Sequence, residues 1–293
     1  MGRKVGPFAV NLLRLALSAV ILISVMGLRH LLGENLNFPG IFSWFWLGGS
    51  GIVGLAIGDF FLYRALTTDG PEKTSQILTI APAATAIMAW LFLKEILSLP
   101  QIGGMAITLA GVFLAAWGAG RNRRLNASLE TNQNQSAVKP VRKPVHYLMD
   151  GAWAAVWAGL FQGLGTVMAR HAFLSDADID PILATTIRIT SGAVVIWFFA
   201  RTQGPLRPVL AGSSHPKVIK LLIGGTLAGP LTGMICYVAA LKYAAAGVVT
   251  TITFMSPLIV IPLGAWYYKT RIGSTAIVGT VISLAGVILL GFG

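Results

Sequence analysis

The chain has 293 residues, of which 55% are hydrophobic and only 11% are charged, and its mean hydropathy is +0.74. This composition excludes a soluble globular domain, in which about 25% of residues are charged. The net charge of +12 comes from Lys and Arg scattered over short loops. That distribution is typical of membrane orientation rather than of a nucleic-acid-binding surface.

Nine segments are apolar and long enough, at roughly 18 to 25 residues, to cross a membrane as helices. They lie at 8–27, 41–63, 75–93, 99–118, 149–169, 181–200, 219–241, 246–268 and 274–292. Strands are not expected, because a barrel strand is only about ten residues long and alternates in polarity. We therefore predict an all-α polytopic membrane protein whose main partner is the lipid bilayer.

A polar and basic stretch at 119–147 lies between the fourth and fifth segments. Its Asn, Gln, Ser, Lys and Arg residues predict a flexible linker. The predicted units are a first repeat at 1–118, the linker at 119–147 and a second repeat at 148–293.

The halves on either side of the linker repeat each other. Residues 58–118 align with 233–293 without a gap, at an offset of 175 residues. Identical residues coincide in this alignment, among them Pro82 with Pro257, Lys94 with Lys269 and Gly104 with Gly279. Two more identical pairs occur upstream at an offset of 174, namely Pro7 with Pro181 and Arg14 with Arg188. Duplicated helix bundles in a membrane are typical of transporters, whose site lies between the repeats.

One segment breaks the symmetry of the duplication. The span at 149–169 has no counterpart before Pro7, so the two halves carry four and five helices. We expect either a first repeat that has lost its first helix or a chain that starts at an internal methionine.

The Lys and Arg residues predict the orientation. With the linker in the cytoplasm, only Arg29, Lys94, Arg170 and Lys242 among the basic loop residues lie outside. The acidic loop at 176–180 then lies outside as well, the N-terminus inside and the C-terminus outside.

Two tandem units, each with a Pro-centred helix and a Leu-Ala-Gly-Val helix, resemble the drug/metabolite transporter superfamily and specifically its EamA-type members. The residues that carry the resemblance are Gly58 to Leu66, Ala81-Pro82, Lys94-Glu95 and Gly104 to Val112. The resemblance covers essentially the whole chain. It implies two inverted repeats of five helices, a central cavity, and alternating access for small metabolites, often in export.

This chain departs from the family pattern in three respects. The first helix is absent, Thr270 stands where the first repeat has Glu95, and the charge bias predicts an external C-terminus where the family usually has a cytoplasmic one.

The expected function is that of a secondary transporter, an exporter, for a small organic metabolite such as an amino acid. We expect it in the bacterial cytoplasmic (inner) membrane, with protons as a candidate coupling ion. No enzyme, cofactor or metal site is expected, because the four histidines lack ligand spacing and Cys236 is the only cysteine. The alternative is a non-transporting membrane subunit or scaffold with the same fold, which the missing first helix leaves open.

Asp59 is the first candidate for proton or cation coupling, as the only acidic residue well inside a span. An ionisable group at that depth costs several kcal/mol unless it is paired or hydrated. Arg64 is its predicted partner, and Tyr63 offers a hydroxyl four residues on. The alternative is a structural ion pair near the end of a helix.

Pro82 and Pro257 occupy equivalent positions and should each kink a helix. The freed carbonyls would lie near Thr79 and Thr253, where a substrate could meet them. The alternative is that both prolines only shape packing.

Trp153 and Trp157 are four residues apart on one helix face, with Gln162 further along, and could border the cavity. The alternative is interfacial anchoring, the commoner role of Trp in membranes. Arg14 and Arg188 are interpreted as structural residues that reach the interface. The predicted substrate-binding residues are Asp59, Tyr63, Gln76, Thr79, Pro82, Trp153, Trp157, Gln162, Tyr237, Thr253 and Pro257.

Overall fold

In a computed structural model of the chain, the described residues are 7–34, 37–133, 145–202, 216–256, 258–259, 262–263 and 273–292. These ranges are helical with short connections and contain no strand. The predicted all-α membrane fold is therefore confirmed.

The helices of the first half are α1 (Pro7–Leu31), α2 (Ile41–Gly51), α3 (Asp59–Thr68), α4 (Gly70–Leu78), α5 (Ile80–Leu93) and α6 (Leu99–Gln133). Those of the second half are α7 (Val145–Ser175), α8 (Pro181–Thr202), α9 (Pro216–Thr226), α10 (Met234–Tyr243), α11 (Ala246–Thr253) and α12 (Ser274–Leu290). A π-helical turn, the first π segment (Ile52–Gly58), joins α2 to α3. Another, the second π segment (Leu227–Gly233), joins α9 to α10.

Seven described helical stretches are long and apolar enough to cross a membrane. They are Asn11–Leu31, Ile41–Thr68, Lys73–Leu93, Leu99–Gly118, Gly151–Ser175, Pro181–Arg201 and Leu222–Tyr243. An eighth apolar helix, Ser274–Leu290, is shorter, with 17 residues. The predicted span at 246–268 begins as α11, and most of its second half lies outside the described residues.

The helix α6 continues to Gln133, beyond its membrane-length part. It therefore enters the stretch 119–147, for which the sequence predicts a flexible linker. Its added turns include three Arg, two Leu and two Ala, which favour helix.

The duplication extends to the bounds of the helices. Adding 175 to the first and last residues of α2, the first π segment and α3 gives those of α9, the second π segment and α10. Each π segment contains paired glycines, and the second also contains Pro230, which lacks a backbone donor. The widened turn therefore occurs at the same place in both halves, and the glycine pair is what the two segments share.

The helices α6 and α12 pack closely through glycines and show how the repeats are related. A Cβ on Gly104 would lie 2.7 Å from the carbonyl oxygen of Gly286, and one on Gly279 would lie 2.7 Å from that of Gly111. Residue 104 thus meets 286 while 111 meets 279, so the two helices run antiparallel. Since α6 and α12 are equivalent, the repeats are inverted.

The apolar core between the repeats includes the contact of α1 with α8. Leu12, Leu15 and Leu22 of α1 pack with Ile189 and Ile196 of α8, and all five are buried. This packing fixes the rotation of both helices and hence the direction of their polar residues.

Candidate functional site: a cavity between the repeats

A cavity of about 430 Å³ lies between the two halves of the bundle. Residues of α1, the first π segment, α3 and α5 line it from the first half. Residues of α7, α8, the second π segment, α10 and α11 line it from the second half. Its volume is within the range of small-molecule sites, roughly 300 to 1,000 Å³.

Five of the predicted site residues meet in this cavity: Asp59, Tyr63, Gln162, Tyr237 and Thr253. They come from α3, α7, α10 and α11, which are distant in sequence. The fold therefore gathers one part of the predicted set at a single place.

Asp59 faces polar groups from other helices rather than Arg64. Its Oδ1 accepts a hydrogen bond from Nε2 of Gln162 at 3.2 Å. Asn11 and Arg14 of α1 lie beside the same carboxylate. The predicted pairing with Arg64 is wrong, because five residues along a helix turn the side chain by about 140° and Arg64 is exposed. Tyr63, four residues after Asp59, does line the cavity.

A chain of polar contacts continues from Gln162 along the wall formed by α7. The hydroxyl of Thr166 donates to the carbonyl oxygen of Gln162 at 2.8 Å and is hydrogen-bonded to the hydroxyl of Tyr237 on α10. Thr166 was not among the predicted residues. Its position four residues after Gln162, on the same helix face, was the available signal.

Both duplicated arginines line the cavity, so the prediction that they reach the interface is wrong. Arg188 is only 2% exposed, and its Nε and Nη1 have no hydrogen-bond partner in the described part of the chain. Nε of Arg14 is likewise unpartnered there, while its Nη2 donates to the carbonyl oxygen of Gly225 at 3.3 Å. The prediction used only the depth of the two arginines within their helices. The packing of α1 on α8 turns both side chains inward, away from the membrane interface.

The arginines and the π segments form a crossed arrangement. A Cβ on Gly229 would lie 2.6 Å from Nη2 of Arg14, and one on Gly54 would lie 3.8 Å from Nη2 of Arg188. Gly54 and Gly229 are themselves equivalent, 175 residues apart. Each arginine therefore lies against the π segment of the opposite repeat. π-helical turns inside α-helices are frequent at functional sites.

The other predicted residues within the described part of the chain do not line the cavity. Pro82 is buried in the first turn of α5, where a proline is tolerated, and the chain breaks at Thr79 between α4 and α5 instead of kinking within one helix. Thr79 bonds the carbonyl oxygen of Gln76 at 2.6 Å. Trp153 and Trp157 are 59% and 46% exposed, as expected if they anchor the protein at the membrane interface. Pro257 lies outside the described residues.

A charged network joins α5, α7, α10 and α11 at one end of the bundle. Lys94, with φ of 58°, ends α5 in the left-handed conformation, and Glu95 follows it. Glu95 pairs with Arg170 at 2.7 Å and accepts a hydrogen bond at 3.0 Å from the backbone nitrogen of Ala246, which begins α11. Arg170 also donates to the carbonyl oxygens of Leu241 and Lys242.

This network and the cavity lie at different depths in the bundle. Lys242 bonds the carbonyl oxygen of Ile179, and Arg29 pairs with Asp180 at 2.7 Å, so the network shares its end with the 176–180 loop. The cavity-lining residues of α1, by contrast, are Asn11, Arg14 and Leu15, near the opposite end of that helix. The cavity therefore lies on the linker side of the network.

The chain matches the EamA-like transporter family over residues 1–117 and 149–292. It belongs to this family. The resemblance inferred from the sequence is thereby confirmed.

Two relatives and one solved structure extend the comparison. A WAT1-related chloroplastic protein of Arabidopsis thaliana is 23% identical over 291 residues, covering 98% of this chain and 63% of that protein. An uncharacterized protein of Methanocaldococcus jannaschii is 37% identical over 60 residues, covering 20% of this chain and 44% of that protein. The chain thus spans less than two thirds of the length of either relative. A crystal structure with 14% identity superposes with a TM-score of 0.70, covering 97% of this chain and 88% of that one, and shows the same fold.

Proposed function

We propose that this protein is a secondary transporter that moves a small organic metabolite by alternating access, with the cavity between the repeats as its substrate site. The observation that carries this proposal is the cavity itself, which both repeats line and which holds Asp59 and Arg188. Ionisable side chains inside a membrane are costly, and they mark substrate or ion pathways by default. Inverted repeats around a site near the middle of the bundle support the same mechanism.

Export is the proposed direction of transport. The charge bias places the linker in the cytoplasm, and the cavity lies on the linker side of the Glu95–Arg170 network. A solute would load from the cytoplasm while this network closes the other end, and release would require the network to open. The proposed location is the bacterial cytoplasmic membrane.

The proposed units remain a repeat at 1–118, a linker at 119–147 and a repeat at 148–293.

Asp59 is the proposed carrier of a coupling proton. Asp59 accepts a hydrogen bond from the amide of Gln162 on α7, a helix of the second repeat, so a change of charge at Asp59 would act on α7.

A flux assay tests the proposal. The purified protein is placed in liposomes, and exchange of a radiolabelled mixture of amino acids and short organic acids is followed. We expect flux above that of protein-free liposomes, and loss of that flux in Gly229→Phe, whose side chain would fill the cavity. Gly224→Phe is the matched control, because a Cβ there meets nothing within 4 Å. Flux equal to that of protein-free liposomes, or undiminished in Gly229→Phe, would contradict the proposal and favour a non-transporting subunit.

A further inference from the structure

We infer that Arg14 and Arg188 bind the carboxylate of the substrate, so that the solute is a small organic anion. This inference rests on the proposed function, since it identifies the chemistry of the same cavity. It starts from Arg188, which is 2% exposed yet leaves Nε and Nη1 without a partner among the described residues.

A buried guanidinium with two unpartnered nitrogens is unfavourable for the empty protein. Charges in protein interiors are normally paired and hydrogen-bonded, and an unpaired one is strongly destabilising. The nearby carboxylate does not meet this need, because Asp59 bonds Gln162 and forms no ion pair with either arginine among the described residues. The donors of Arg188 are therefore left for a group that enters the cavity.

The chemistry of that group follows from the guanidinium. Its planar, forked donors match the two oxygens of a carboxylate and can bind both at once. Among the described lining residues, two arginines and one aspartate give the cavity a formal charge of +1 while Asp59 is ionised, and a monoanion neutralises this charge. A doubly charged phosphate would overcompensate it. The solute is therefore a monocarboxylate with an uncharged body.

The crossed arrangement explains how binding could drive the transport cycle. Arg14 belongs to the first repeat and lies against Gly229 of the second, whereas Arg188 belongs to the second and lies against Gly54 of the first. A carboxylate held between them would join the two repeats through one ligand. Only a ligand that binds two conformations differently can shift their populations. Because the two arginines belong to different repeats, a movement of one repeat against the other would change the fit of a shared anion.

The test measures binding and does not depend on transport. The full-length protein in a neutral detergent is heated with matched acid and amide pairs: acetate and acetamide, butyrate and butyramide, and 3-phenylpropionate and 3-phenylpropionamide. We expect at least one acid to raise the unfolding temperature while its amide does not. The shift should vanish in Arg188→Met and shrink in Arg188→Lys, which keeps the charge but loses the fork. It should persist in Arg201→Met, an exposed position at the end of the same helix.

The stability of the empty protein separates a binding role from a structural one. Replacing a buried, unpaired charge by an apolar side chain of similar size is often neutral or stabilising. We therefore expect Arg188→Met to unfold at the same or a higher temperature than the unsubstituted protein without ligand. A markedly lower unfolding temperature, with Arg201→Met unaffected, would show that Arg188 is structural and would overturn the inference.

Other outcomes overturn the assignment of the ligand. If no acid differs from its amide, the cavity does not select carboxylates. If inorganic phosphate gives the larger shift, the charge argument fails. If phosphatidylglycerol, but not phosphatidylcholine, stabilises the protein through Arg188 and no soluble acid competes, the site holds a lipid headgroup. Flux without acid binding would support the proposed transport and contradict only the anion site. Acid binding without flux would support the anion site and contradict the proposed transport.

Discussion

Ser283 donates a hydrogen bond to the carbonyl oxygen of Thr108 at 3.0 Å, and these two residues occupy the same position in their respective repeats, 175 residues apart. Two equivalent residues can meet only where the axis relating the repeats passes between them. That axis therefore crosses the contact between α6 and α12. The glycines on either side follow the same symmetry, with Gly104 against Gly286 and Gly279 against Gly111.

The close approach of α6 to α12 predicts a sharp difference between two adjacent glycines. A Cβ on Gly104 would lie within 3 Å of the backbone of α12, whereas one on Gly103 would lie 3.6 Å from a side-chain carbon of Leu289. Gly104→Ala should therefore lower the free energy of unfolding by about 1–3 kcal/mol, as overpacking does. Gly103→Ala should leave it unchanged, and the midpoints of thermal unfolding in detergent measure both. Equal stability of the two variants would show that the helices can separate without cost.

The sequence was sufficient for seven of the nine predicted spans and for the repeat, because both depend on patterns along the chain. Apolar length determines a membrane helix, and Pro82, Gly104 and their counterparts mark the duplication. The bounds of the two π segments could not be predicted in this way. Glycine pairs permit a widened turn, but its exact place depends on the neighbouring helices.

The site was only partly predictable, because the direction of a side chain depends on how its helix packs. Asp59 was predicted because an ionisable side chain inside a membrane span is energetically costly. Gln162 was predicted from its position on α7. Trp153 and Trp157 share a face of α7, but that face is turned outward. Arg14 and Arg188 gave a signal in their duplication, yet only the packing of α1 against α8 shows that they point into the cavity.

The charge bias predicts where introduced cysteines react. A cysteine in the 119–147 linker should be protected from a membrane-impermeant maleimide in intact cells, and one at 176–180 should react, because the basic linker stays in the cytoplasm. Cys236, the only native cysteine, is exposed and is first replaced by alanine. The opposite labelling pattern would show that the family orientation overrides the local charges.

Asp59→Asn should abolish flux driven by a proton gradient while leaving the protein folded. Asparagine keeps an acceptor for the amide of Gln162 but removes the charge that a proton would neutralise. Arg64→Gln is the control, because Arg64 is exposed and does not contact Asp59 in the described structure. Gradient-driven flux and size-exclusion profiles of both variants provide the measurement. If Asp59→Asn keeps the gradient-driven flux of the unsubstituted protein, Asp59 has a structural role and does not carry the coupling proton.

The network of Glu95 and Arg170 predicts a variant that opens the end of the bundle near the 176–180 loop. Glu95→Gln removes the charge from a pair that is only 13–14% exposed and weakens the bond to the backbone nitrogen of Ala246. Hydrogen bonds to charged groups contribute about 1.5–3 kcal/mol. Since 1.4 kcal/mol corresponds to a tenfold change in an equilibrium, the open state should become at least about ten times more populated.

This shift is measured with a cysteine at Thr253, which lines the cavity, in a background without Cys236. Maleimide applied from the side of the 176–180 loop should label this cysteine about ten times faster in Glu95→Gln than in the protein that keeps Glu95. Glu34→Gln is the matched control at the same end, because Glu34 is 49% exposed in its pair with Arg29 and exposed pairs contribute only about 0.2–1 kcal/mol. Equal labelling rates in Glu95→Gln and Glu34→Gln would mean that the buried pair does not hold this end of the cavity closed.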